Sequence, residues 1–349
     1  MKTIDRYILK DLTKGFLVSF IIVSVVMLLG NLIKIYDVLF ARGVGIGLLG
    51  KIMLDACIFL SIFTIPMALT LAVNFTYTQM SANFEITALR ASGVSLRRIF
   101  LPALLFSSIV FVLLFIDVSF FAYRARLSYK TDIVSAFKKR IYVGLKAGVF
   151  YNGLKSSTLY AKRISPDKKH LFDVFFANKN SVITAKEAIF KDTPFGVVVD
   201  FINAHIYSSR PDLIEYGRLK NYSVSIRFQS QKKHYYKAND IRFMTIAELI
   251  NYYKQTHSKG ALYKINKMLV LSFSVFVLAL IAFSFGITLV RSGKSTGAAI
   301  SMSIFFAYYI LEMTGESMFK NFSLIWPIWL PDVVLLLFGI YMFRRKSQV

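Results

Sequence analysis

The chain has 349 residues, 56% of them hydrophobic, with a mean hydropathy of +0.55 and a formal charge of +24. Soluble domains average about 45–50% apolar residues and lack apolar runs near ~20 residues, so an ordinary soluble globule is excluded. The single cysteine, Cys57, sits inside an apolar run and excludes a disulfide framework. The basic residues are spread along the whole chain. That argues against nucleic acid and leaves anionic headgroups, or a general lysine bias, as the source of the charge.

In chain order, Lys2, Arg6, Lys10 and Lys14 precede an apolar run from Gly15 to about Phe40. A signal-peptide core covers only about 7–15 residues and ends at an A-x-A-like site, which does not follow here. The run therefore reads as a retained first span. Further runs at about 48–74, 99–121, 265–290, 297–319 and 324–343 bring the expectation to six spans. Lys2, Arg6, Lys10, Lys14, Arg90, Arg97, Arg98, Arg291, Lys294, Arg344, Arg345 and Lys346 then share one side. The opposite short loops hold only Arg42, Lys51 and Lys320. The bias predicts that both termini are cytoplasmic and that residues 122–260 form a domain on the outer side.

That domain reads as β-structure. STLYAKRI, FDVFFA, SVITAKEAIF, FGVVVDFINAHIY and YSVSIRF are rich in β-branched and aromatic residues. Turn signals at Asn152-Gly153, Ser165-Pro166-Asp167 and Asp192-Thr193-Pro194 separate them, and the spacing predicts an antiparallel sandwich or jelly roll. Thr245-Ile246-Ala247-Glu248 is a capping box that starts a helix leading back toward the membrane.

Between spans two and three lies SANFEITALRASGVSLRRIF, residues 81–100. Ser81 or Asn83 can cap a short helix at about 81–93, with Glu85 in its first turn and Gly93 as the C′ stop. Ser95 then opens the next helix. Phe84, Ala88 and Ala91 share one face, and Glu85, Leu89 and Ser92 another. One reading is an interfacial connector held at the headgroups by Arg97 and Arg98. The other is a coupling helix that docks into a cytoplasmic motor, with Glu85, Ala88, Leu89, Arg90 and Gly93 carrying the contact.

No enzymatic centre is legible. SGKST at 292–296 lacks the glycine that a P-loop needs at 288, which is Thr288, so ATP hydrolysis is expected on a separate subunit and no cofactor in this chain. The four histidines (170, 205, 234, 257) show no metal-ligand spacing. Charges inside spans are costly and point to function. Lys34 and Asp37, at i and i+3, can pair with each other, Lys34 can snorkel to the outer headgroups, or Lys34 can face a cavity and meet the phosphates of an anionic lipid. Arg42, Lys264 and Lys267 extend that basic rim. Glu312 and Glu316, at i and i+4 in span five, either hold the bundle together or pair with Lys34 or Lys267 at a gate. Small residues along the same span, Gly297, Ala298, Ala299, Ser301, Ser303 and Ala307, permit the close helix approach a lateral gate requires.

EITALRASGVSLRRI, Glu85 to Ile99, closely resembles the signature of the LptF/LptG permeases, the membrane subunits of the ABC-type lipopolysaccharide exporter. DRYILKDL, TIAELINYYK, the RSGKSTG turn and WLPDVVLLLFGIYMFRR extend the resemblance over essentially the whole chain. The resemblance implies a bacterial inner-membrane permease with six spans around an inserted periplasmic β-jelly-roll. It also implies an LptB-like ATPase dimer receiving the 81–93 helix, a second LptF/LptG-type subunit, an LptC-like bridging protein, and lipopolysaccharide facing Lys34. Asn31–Leu39 leans toward the G-like subunit and AYYILEMTGE toward the F-like one. Two other classes stay open: a permease for another lipid or for lipoproteins, and a membrane sensor with an extracytoplasmic domain.

Overall fold

The computed structural model describes residues 3–39, 45–154, 157–178, 181–193, 196–210, 213–227, 240–287 and 294–348. Two compact units emerge: Met1–Asn31 with Asp55–Arg126 and Asn239–Val349, and Leu32–Leu54 with Leu127–Ala238.

The first unit is helical. Its elements include most of α1 (Thr3–Leu39) and α2 (Ile46–Ala82), then α3 (Glu85–Ala91) and α4 (Leu96–Ile116). A π-helical turn (Asp117–Phe121) joins α4 to α5 (Ala122–Gly144), which belongs to the second unit from Leu127 onward. After the second unit come α6 (Ile246–Thr256), α7 (Lys259–Gly286), α8 (Lys294–Phe322) and α9 (Leu330–Gln348). Among the described residues six helices are long and apolar enough to cross a membrane, the number expected from the run lengths. Ile8, Leu12, Leu69, Val73, Tyr77, Ile99, Leu114 and Phe283 belong to one buried cluster that joins these helices. Tyr77 Oη donates to the Ile99 carbonyl at 2.9 Å, so this fully buried hydroxyl is satisfied.

Close helix approach depends on specific small residues. A Cβ at Gly286 would lie 3.1 Å from the Asn74 carbonyl oxygen, and one at Gly297 2.8 Å from Asn74 Oδ1. The capping box forms as expected. Thr245 Oγ1 accepts from the Glu248 N–H, and Glu248 Oε2 accepts from the Thr245 N–H at 2.8 Å. That backbone donor holds the Glu248 carboxyl below the usual carboxylate range, and Arg124 adds to it at 2.7 Å.

Among the described residues the second unit contains six antiparallel strands: β1 (Tyr151–Leu154), β2 (Ser157–Ile164), β3 (His170–Asn178), β4 (Ser181–Thr193), β5 (Gly196–Arg210) and β6 (Leu213–Arg227). They pair in chain order, β1-β2-β3-β4-β5-β6. The pairing is that of a meander, and it differs from the expected jelly roll, whose Greek-key crossovers set non-consecutive strands side by side. At most five residues separate consecutive strands in sequence, which explains the difference, because so short a link brings each strand back beside its predecessor. The Ser165-Pro166-Asp167 turn is present, closed by Lys168 N–H to the Ser165 carbonyl at 2.8 Å. Asn152-Gly153 is not a turn: both residues lie within β1, at an irregularity between Tyr151 and Leu154. Residues 122–144, expected to begin the β-domain, are helical throughout.

Candidate functional site

Two arrangements in the first unit carry chemistry. The first is the segment linking α2 to α4. Phe84 (φ 59°) is the residue that turns the chain into α3, with no side-chain cap, so the expected capping by Ser81 or Asn83 does not occur. Ser81 Oγ instead donates to the Ile287 carbonyl at 3.2 Å, and Asn83 Nδ2 donates to Glu85 Oε1 at 3.0 Å. The C-terminal stop is as expected. Gly93 adopts φ +83°, its N–H reaches the Arg90 carbonyl, and the Val94 N–H reaches the Leu89 carbonyl, both at 3.0 Å. This is a Schellman closure, and it needs a residue that tolerates positive φ. Ser95 caps α4 by accepting from the Arg98 N–H at 3.4 Å.

The short helix is anchored on one side only. Ile86 is buried, whereas Thr87, Ala88, Arg90 and Ala91 are exposed. Arg98 pairs with Asp5 at 2.6 Å and ties the following turn to the start of α1. Beside it lies a groove of about 390 Å³ lined by Ile4, Tyr7, Met80, Glu85, Ala88, Leu89 and Ser92. Its floor is apolar, and Glu85 is its one acid. Of the expected coupling residues, Glu85, Ala88 and Leu89 meet in this groove. Arg90 projects to solvent, and Gly93 fixes the end of the helix.

The second arrangement joins α7 to α8. Lys267 Nζ lies 2.7 Å from Glu312 Oε1 and 2.6 Å from Glu316 Oε2. Lys320 closes on Glu316 Oε1 at 2.6 Å. Lys267 and Glu312 are therefore paired where an unpaired charge would be costly, and the largely exposed Lys320 offsets the second carboxylate. Lys264 sits 2.9 Å from the centroid of the Tyr123 ring, a cation–π contact. The sequence brought Glu312 and Glu316 together by their spacing. Of the two partners expected for them, Lys34 and Lys267, it is Lys267, 45 residues upstream of Glu312, that lies against both carboxylates, while the Lys34 side chain is outside the described residues.

Ser303 and Ala307 lie on the exposed side of α8, with Met302, Phe306, Ile310 and Met313. Glu312 lies on the buried side, with Phe305 and Tyr308. The expected gate residues therefore divide between two faces of one helix. Lys34 and Asp37 are on α1, but their side chains lie outside the described residues, as does the whole of Arg42. Among the histidines, His170 contacts Glu187 at 3.2 Å, His205 contacts Tyr216 Oη at 2.6 Å, and His257 ends α6 in a left-handed conformation. His234 lies outside the described residues.

Compared with known proteins, residues 6–345 match the family model described as "Lipopolysaccharide export system permease LptF/LptG". A search of curated proteins finds no match.

Proposed function

The chain belongs to the LptF/LptG family of lipopolysaccharide export permeases, and from this premise we propose that it is one of two such subunits around a lipid-binding cavity in the inner membrane. Both termini are cytoplasmic in this reading, and the six-stranded sheet is periplasmic. An LptB-like ATPase dimer hydrolyses ATP below the membrane, and an LptC-like protein bridges onward from the periplasmic side. Lipopolysaccharide is the cargo. Lys34, Arg42, Lys264 and Lys267 contribute positive charge toward its phosphates, with Asp37 setting the position of Lys34. Lys267 would have to exchange Glu316, which keeps Lys320, for a phosphate to take part, its pair with Glu312 staying in place.

The observation that carries the reading is the α3 segment. A seven-residue helix, closed by a glycine at positive φ and bordered by an apolar groove with one carboxylate, offers a firm knob and a charged contact to a motor subunit. A simple connector between spans needs neither. Glu85→Arg reverses the charge in the groove. Gly93→Val places a β-branched residue in the left-handed region, at a cost of about 1–3 kcal/mol. Both variants should retain the lipid-binding membrane fold while ATPase assembly, or ATP-driven release of lipopolysaccharide, is lost. Unchanged assembly and release in both variants would reduce α3 to a connector. Copurification with a lipoprotein-specific system or a kinase, in place of an ATPase and a second six-span protein, would favour the other two classes.

A further inference from the structure

The sheet of the second unit carries a crease that has no counterpart in its strand alternation. Pairs Ala161↔Val174 and Arg163↔Phe172 flank an unpaired level at Lys162 and Asp173. The same level runs through Lys186 on β4, between Ala185↔Ala204 and Glu187↔Ile202, and through Asn203 on β5. It ends at Lys220 on β6, between Ala204↔Leu219 and Ile202↔Asn221. Side chains in a regular strand alternate with a period of two. Here the buried residues on either side of the level are three apart: Leu171 and Val174, Ala185 and Ala188, Phe201 and Ala204. Each strand has one extra residue at this height, and the extra residues stay in register. Asp173 and Asn203 absorb it with φ 53° each, in the region that Asp and Asn tolerate best among side-chain-bearing residues.

The result is an outward-facing row across five strands that reads Lys162, Asp173, Lys186, Asn203, Lys220, with all five residues exposed. Strands are about 4.8 Å apart, so lysines on alternate strands project roughly 10 Å from one another. The nearby acids are engaged elsewhere: Glu187 with His170 at 3.2 Å, and Asp200 with Lys191 at 2.8 Å. Three lysines thus face solvent against one aspartate. Asn203 and the adjacent, exposed Asn221 supply amide donors and acceptors beside them.

We propose that this crease binds the phosphorylated saccharide headgroup of an anionic glycolipid, with the lysines taking successive phosphates and the asparagines taking sugar hydroxyls. The inference rests on the reading of the chain as a lipopolysaccharide permease and adds a headgroup site on the sheet. Charge complementarity selects the class of ligand. A flat bilayer surface is usually held by clusters of about 4–8 basic residues, whereas a row of three spaced by about a nanometre, with one aspartate between two of them and the amides of Asn203 and Asn221 at the other end, suits separate phosphates on one sugar chain.

The test uses the full chain in nanodiscs of neutral phosphatidylcholine. Binding of purified lipopolysaccharide, and of the same material after phosphatase treatment, is compared for the wild type and for the Lys162→Gln/Lys186→Gln/Lys220→Gln variant. The phosphorylated ligand should bind the variant about 10- to 100-fold more weakly at low salt, with the difference shrinking in about 0.5 M salt. The phosphatase-treated ligand should bind both chains alike, and the triple Lys→Arg variant should bind as the wild type does. Equal binding of phosphorylated ligand by wild type and Gln variant overturns the crease site and leaves the permease reading standing. Failure of the wild type to bind either ligand overturns the permease reading and the inference with it. Equal, lysine-dependent binding of phosphatidylglycerol vesicles overturns the saccharide assignment in favour of a general anionic surface. The exposed positions make a folding defect in the Gln variant unlike its binding defect, and an unchanged melting temperature distinguishes the two.

Discussion

Lys267 is the residue whose removal should cost the membrane unit most per atom lost. It lies 2.7 Å from Glu312 and 2.6 Å from Glu316, with its side chain 17% exposed and that of Glu312 only 7%. At 2.7 Å and an effective dielectric constant of about 20, the Coulomb attraction to Glu312 alone is roughly 6 kcal/mol before desolvation is counted. Lys267→Met leaves Glu312 without that partner, and breaking a buried pair from one side costs about 3–5 kcal/mol. Glu316 suffers less, because it keeps Lys320, a 67% exposed side chain whose pairing contributes about 0–1 kcal/mol. Glu312→Gln alone leaves Lys267 with Glu316 and should cost about 1–3 kcal/mol. Lys267→Met/Glu312→Gln removes both buried charges and should recover at least half of the single-variant loss. Thermal unfolding in detergent reads all three, with a fall in apparent Tm on the order of 5–10 °C expected for Lys267→Met. A fall of less than about 1 °C, or a double variant no more stable than Lys267→Met, would refute the account of the cluster as a mutually dependent set.

Asp200 tests the sheet independently. Lys191 at 2.8 Å and Ser223 at 2.6 Å hold its carboxyl below the usual range, so the contact stabilises the folded sheet above the ordinary aspartate value of about 3.9. That stability is lost as pH falls through the lower folded value. Asp200→Asn should therefore lower stability at neutral pH and match the wild type in strong acid, and a constant offset at every pH would count against the pairing. On α8, cysteines at Ser303 or Ala307 in a Cys57→Ser background should cross-link to a cysteine on the partner permease and stop lipid entry, reversibly with reductant. Full cross-linking with undiminished export would rule out a lateral gate on this face.

Much of the fold was legible because its signals are local. Apolar run length alone identified six spans, and Thr245 with Glu248 announced a capping box that forms with both hydrogen bonds. Gly93 was legible for the same reason, since a glycine after a short amphipathic stretch has few other uses. The α5 helix was missed although Ala125, Tyr129, Ile133, Ala136, Phe137 and Ile141 repeat at helical spacing and are all buried. The polar residues between them masked the period. The turn at Phe84 had no signal, because an aromatic in the left-handed region contradicts local preference. Strand order is non-local, and a jelly roll and a meander can share the same strands and turn residues. The crease lies deeper still. AKR in β2 and AKE in β4 break alternation in the sequence, but only pairing shows that the breaks coincide across strands.

The two faces of α8 bear on how a gate could work at all. Its charged residues in the bundle, Glu312 and Glu316, point toward α7 and are balanced by Lys267 and Lys320, so the inward face carries no net charge into the membrane. Between Glu312 and Glu316 in sequence, Gly315 packs so tightly that a Cβ there would come within 2.7 Å of the Pro327 carbonyl oxygen. The outward face, with Met302, Phe306, Ile310 and Met313 exposed around Ser303 and Ala307, has no such constraint. A helix held this firmly on one side does not slide alone, because separating Glu312 from Lys267 would strand both charges in an apolar medium. A motion that opens the outward face must therefore carry α7 along with α8 and leave the Lys267–Glu312 pair intact. On that argument any opening of the apolar outward face would move the Lys267–Glu312 pair as a rigid part of both helices, which is what the cross-linking at Ser303 or Ala307 tests.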